Sequence, residues 1–289
     1  MNHLLSALAL SLLFTSSITF GNESLSKSLT LFASFDEGFS ADYSRGDKGC
    51  YLNQGSELVP CVENDEAKIV KNEGRFGSAI HFPKKGTTRP LYPGKNVLGY
   101  NADSWSASVS LWLRLNPDED LEPGYCDPVQ IVGDDTKKGF IFLEWSKDHT
   151  PRHFRYAIRP LIELWDPQGL GWEGLPDETR PMVRVLNAPF SRHEWTHAVF
   201  TLDKINEKAG KPSGSLYLNG RKQGTIEGFD LTFGWDPASV NLVLGAAYVG
   251  YQDELAVFDR ELTDEEVRQL YELKGGVRDL LMTESVVKR

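Results

Sequence analysis

The chain of 289 residues carries 31 Lys and Arg against 41 Asp and Glu, a formal net charge of -10. Without a dense basic run, that balance argues against a binder of phosphate backbones, which needs a basic face to displace counterions, and it disfavours anionic membrane surfaces. Apolar residues at 40% and aromatic residues at 11% supply a sizeable core and exclude global disorder.

In chain order, residues 4–20 form an apolar stretch without a charged side chain, followed by Asn22, Glu23 and Ser24. This reads as a secretory signal spanning residues 1–21 and cleaved after Gly21, so the product is expected to be exported and not inserted in a membrane. Export gives meaning to the three cysteines. One internal disulfide is expected, with Cys50 and Cys61 the favoured pair because both lie in a Gly/Asn/Asp-rich segment read as a long loop; pairing to Cys126 stays open.

Short alternating or β-branched stretches then recur between Gly, Pro, Asn and Asp. They fall at 29–35, 76–82, 107–115, 128–132, 140–145 and 154–159, and again at 182–186, 195–202, 215–218, 223–227, 241–245 and 252–258. A dozen strands with no helix between them predict an all-β, two-sheet antiparallel sandwich. Asn219-Gly220 after Leu216-Tyr217-Leu218 marks a hairpin. One helix closes the domain: Thr263 and Glu266 form a capping box, Val267, Leu270 and Tyr271 share a face, and Gly275-Gly276 stops it. Residues 28–273 are therefore one domain, with a long segment at 146–183 rich in Trp, Pro and charge, and 274–289 read as a frayed tail.

These motifs, in this order, resemble the laminin-G-like members of the concanavalin A-like lectin/glucanase superfamily, which are jelly-roll sandwiches common in secreted proteins. The matching runs are Leu31-Phe32-Ala33-Ser34-Phe35-Asp36-Glu37, Gly77-Ser78-Ala79-Ile80-His81-Phe82 and Ser108-Val109-Ser110-Leu111-Trp112-Leu113. They continue with Trp195-Thr196-His197-Ala198-Val199-Phe200, Ser215 to Gly220, and Gln252-Asp253-Glu254-Leu255-Ala256-Val257-Phe258. The 146–183 segment departs from the family pattern. The resemblance implies a structural calcium ion where first and last strands meet, with Asp36 and Asp253 as ligands and Glu37 beside them, since a hard cation takes oxygen donors.

The resemblance does not specify function, so chemistry must be read from side chains. A glycan surface is the favoured reading: Trp145, Trp165 and Trp172 stack on sugar rings, with Trp235 also near a loop, while Glu144, Arg155, Arg159 and Glu163 bind hydroxyls. Alternation in 154–159 puts Phe154, Tyr156 and Ile158 on one face and Arg155 and Arg159 on the other. The alternatives are a polysaccharide-active hydrolase or lyase on the open sheet face, for which Glu144 and Glu163 are the nominated carboxylates, and a structural or adhesive protein with a protein partner. His193-Glu194-Trp195-Thr196-His197 fits H-E-x-x-H, but the alternation of Trp195, His197 and Val199 predicts a strand. A strand sets the two His about 13 Å apart, too far for one zinc. Trp112, Trp195 and His197 are then interior groups, and Arg45-Gly46-Asp47 is a chance match to an adhesion tripeptide.

Overall fold

The computed structural model describes residues 23–55 and 57–287, with side chains described through 282. The signal segment and its cleavage point lie outside the described residues. No described helix is long and apolar enough to cross a membrane.

Two antiparallel sheets face each other, as the alternation requires. The main path of the nine-stranded sheet runs, in spatial order, Arg221–Ile226, Gly214–Leu218, Thr196–Ile205, Trp105–Arg114, Gly250–Phe258, Leu29–Ala33 and Tyr43–Ser44. The eight-stranded sheet runs Met182–Val185, Phe154–Arg159, Phe140–Trp145, Cys126–Val132, Asn241–Ala246, Leu91–Pro93, Tyr51–Gln54 and Glu57–Pro60. Inward residues such as Leu111, Leu113, Ile131, Leu143, Tyr156, Phe200 and Leu242 form the inter-sheet core. This is the all-β sandwich expected.

Local differences have physical reasons. Residues 51–60, read as loop, pair as a hairpin with Tyr51 opposite Pro60 and Gln54 opposite Glu57. Its polar side chains hide the alternation because it is an edge with little to bury. Asn219 and Gly220 both have positive φ, 49° and 73°, as a primed hairpin turn needs. The Asp264–Glu272 helix starts at the expected capping box on Thr263 and Glu266. Residues past Gly276 are no frayed tail: Arg278–Val287 is helical, and Val277 and Leu280 are buried under the outer face of the nine-stranded sheet.

The expected Cys50–Cys61 disulfide is not formed. Both thiols are free, as is Cys126. The Cys61 amide donates to the Cys50 carbonyl at 2.8 Å, so the two residues face each other at the base of the hairpin, and burial followed by the neighbouring Cys61 thiol pushes the Cys50 thiol up.

Candidate functional site

The outer face of the eight-stranded sheet is divided in two. Over its Phe140–Trp145, Phe154–Arg159 and Met182–Val185 strands lies residues 160–181. Asp166 pins this segment: its carboxylate accepts the Leu170 amide at 2.7 Å and the Gly171 amide at 2.9 Å. Under it Trp165 and Trp172 pack with Phe142, Ala157, Phe140, Ile162, Leu175 and Met182 in a small core of their own.

The three nominated tryptophans are therefore not free stacking faces. Trp145 is fully buried between the sheets against Phe154, Phe190 and Tyr248. Trp165 and Trp172 are 6% and 9% exposed and meet edge to face. Trp235 is also buried, its Nε1 donating to the Gly139 carbonyl. A sequence count of aromatics near loops does not show which loop folds back over them.

The polar groups on this face do converge, as alternation implies. Glu144 lies opposite Arg155 in the ladder, and the two side chains pair while buried. Arg155 also reaches Glu173 at 2.9 Å, and Glu173 takes Arg180 at 3.2 Å and the Tyr125 hydroxyl at 3.0 Å. Burial pushes Glu144 up to about 8, against the pull of Arg155, and Asp127 up to about 7, against the Gln130 amide and Arg155. Glu163 stays out of this network, exposed on the Ile162–Trp165 turn, so the Glu144–Glu163 pair nominated for hydrolysis is not assembled. Arg159 stacks instead, its guanidinium carbon 4.1 Å from the Trp165 ring centre.

Beyond the cover the face is open. A groove of about 830 Å³ runs over the Cys126–Val132, Asn241–Ala246, Leu91–Pro93 and Tyr51–Gln54 strands. Val132, Val243, Leu91 and Phe140 give it apolar surface, and Gln130, Asn241, Asn53, Gln54, Thr88 and Arg89 bring amides, a hydroxyl and a guanidinium. Gln130 is oriented from below, its Nε2 donating to buried Asp127 at 2.6 Å. The loop carrying Arg89 is held by Glu66, whose Oε2 accepts the amides of Thr87 and Thr88 at 2.8 and 2.7 Å; those bonds hold the Glu66 carboxyl below its usual range.

None of the groove's polar residues was nominated from sequence. Uncharged amides carry no motif. The available signal was Gln130 and Asn241 as single polar residues at outward positions of otherwise apolar strands.

The remaining candidates separate clearly. Asp36 accepts the Ser78 amide on Oδ1 at 2.7 Å and Arg278 on Oδ2 at 2.6 Å. Buried Asp253 accepts the Phe76 amide at 3.0 Å and the Glu254 amide at 2.7 Å, while Glu37 is exposed. In this arrangement Asp36 and Asp253 serve as acceptors for backbone amides and for Arg278. Among the described residues no group of three or more His, Cys, Asp or Glu stands as a metal site.

His193 is exposed, and His197 is buried in the Thr196–Ile205 strand, its Nε2 2.8 Å from the Ser110 hydroxyl. Only Thr196 and His197 of H-E-x-x-H are strand; His193 and Glu194 lie in a bend before it, so the motif is not helical. His197 and Trp112, however, sit on the outer face of the nine-stranded sheet beside Tyr271 rather than between the sheets, and Trp195 is partly exposed under Arg114. Arg45 pairs with Asp259, and Asp47 with the Tyr51 hydroxyl, so the Arg45-Gly46-Asp47 loop is occupied internally.

A family model described as the concanavalin A-like lectin/glucanases superfamily, laminin G type, matches residues 93–268, more than half of the chain. The chain belongs to this superfamily. No curated protein matches the sequence. Among solved structures, the chain is similar to domain 4 of AbnA, a GH43 extracellular arabinanase from Geobacillus stearothermophilus in complex with arabinotriose. The identity is 19% and the TM-score 0.50, over 85% of this chain and 98% of that one. It is also similar to the binding domain of botulinum neurotoxin DC in complex with rat synaptotagmin II. There the identity is 13% and the TM-score 0.55, over 86% of this chain and 52% of that one. A sialidase from Trypanosoma rangeli aligns at 14% identity and TM-score 0.50, over 87% of this chain and 34% of that one. The chain thus spans about half or less of the last two. At these identities the likeness shows the shared fold.

Proposed function

We propose that the chain is an exported binding module whose ligand is a glycan held in the open groove of the eight-stranded sheet. The observation that supports this most is the groove's lining: apolar surface interleaved with fixed amides and a guanidinium, the combination that suits a sugar's apolar faces and its ring of hydroxyls. The arabinotriose-bound relative on the same fold is consistent with it. The export half of the proposal rests on residues 1–21 as a signal and is checked by sequencing the N-terminus of the secreted product, which should begin at Asn22.

A panel of polysaccharides tests the reading, scoring both retention and release of new reducing or unsaturated ends by the full chain. Retention without product is expected, and Asn53→Ala with Asn241→Ala should abolish it. Product release would favour the hydrolase or lyase reading instead, for which Asp127 and Glu144 are the carboxylates that share one face with shifted titration. Against that reading, Glu144 is already paired with Arg155. Silence in both channels would favour a protein partner.

A further inference from the structure

We infer that the groove takes a glycan bearing carboxylates, recognised by Arg159 and Arg89; this rests on the glycan-binding reading above. Arg159 ends its strand directly opposite Phe140, which lines the groove. Its guanidinium carbon lies 4.1 Å from the Trp165 ring centre and 5.5 Å from those of Phe140 and Trp172. Stacking engages the flat face of a guanidinium and leaves its N–H groups, which lie in the plane, free to donate. Among the described residues no hydrogen bond or ion pair reaches that side chain, and its Nε is buried without a partner. Arg155, four residues earlier on the same face, holds both Glu144 and Glu173. One arginine is neutralised by the protein and the next is not.

Arg89 repeats the pattern from the rim. It is exposed, lines the groove, and among the described residues has neither ion pair nor hydrogen bond to its side chain. Both cations act on the same buried group, Asp127, which their fields and that of Arg155 pull down against its burial. The other acids nearby are committed: Asp166 to the Leu170 and Gly171 amides, Asp134 to Lys138, and Glu144 and Glu173 to Arg155. Buried Asp127 accepts the Gln130 amide at 2.6 Å and makes no ion pair with either guanidinium among the described residues. A chain with net charge -10 therefore keeps one unpaired guanidinium, Arg89, at the groove rim and a second, Arg159, beside the groove next to Phe140, and a planar carboxylate is the anion that matches the guanidinium fork.

The test is retention of the full chain on polygalacturonate, alginate and polysialic acid, each beside its carboxyl-reduced form, with dextran sulfate and neutral arabinan alongside. We expect an acidic polymer to be held and its reduced form to be held at least about tenfold more weakly. Arg89→Gln and Arg159→Gln should each weaken retention by about 10- to 100-fold, as the loss of a charge-assisted hydrogen bond does. Arg159→Lys should recover only part, because a lysine lacks the planar fork. Arg89 is exposed, so its variant keeps the test open if Arg159→Gln fails to fold. Equal retention of acidic and reduced forms, or of arabinan alone, overturns the carboxylate inference and leaves the glycan reading standing. Preference for dextran sulfate over every carboxylate polymer overturns it too. Retention of nothing overturns both.

Discussion

The two halves of one sheet face show how the same alternating pattern serves two ends. On the covered half, residues 160–181 lay Trp165 and Trp172 onto Phe142 and Ala157, and Arg155 is matched by Glu144 and Glu173. On the open half, the outward residues of neighbouring strands are Gln130, Asn241, Val132 and Val243, and nothing among the described residues lies over them. The covered half pairs Arg155 and Arg180 with its acids and, among the described residues, leaves the Arg159 side chain without a hydrogen bond or ion pair. The open half leaves its polar groups uncovered by the described residues.

The largest expected effect breaks the covered half. Trp172→Ala removes a buried ring from the small core and should destabilise the protein by about 3–5 kcal/mol. Chemical denaturation measures it, and a loss below about 1 kcal/mol would mean that the cover is not packed as described. A control of similar size lies on the other sheet. Burial first, and then nearby Arg75, pushes His197 down to about 3 from the usual histidine value of 6.5. Between pH 6.5 and about 3 the unfolded chain therefore binds a proton that the native chain refuses. Stability should fall as the pH drops through that window and should show no such slope above it, an effect on the order of 5 kcal/mol. His197→Gln should flatten this part of the profile, whatever it does to the absolute stability.

Glu173→Gln is the next step down. It takes charge from the partner shared by Arg155, Arg180 and Tyr125, and should cost about 1.5–3 kcal/mol in denaturant titrations. The smallest structural effect belongs to the open half. Asn53→Ala and Asn241→Ala should leave stability within about 0.5 kcal/mol of the parent while removing polysaccharide retention. If these two unfold the protein, or leave retention intact, the division between a structural half and a binding half is wrong.

How much of this was legible depends on which physical signal each part leaves in the sequence. Alternation is local, so the long strands and the shared outward face of Glu144, Arg155 and Arg159 were readable. The capping box at Thr263 and Glu266 was readable for the same reason. Burial of Trp165 and Trp172 was not, because it is decided by where the 160–181 segment folds back. The edge hairpin at 51–60 was missed because its polar side chains need not alternate. Helix 278–287 was missed because Gly275-Gly276 looks like a stop, while the Val277 amide goes on to donate to buried Glu254 at 2.6 Å. The groove itself is assembled from four strands distant in sequence, and no single stretch announces it.

The most direct measurement is hydrogen–deuterium exchange of the full chain with and without whichever polysaccharide it retains. The account predicts added protection in the segments 52–54, 87–91, 130–132 and 241–243, with 160–181 unchanged. Protection centred on the outer face of the nine-stranded sheet, or on the loops around Asp36 and Phe76 with the groove segments unaffected, would contradict it.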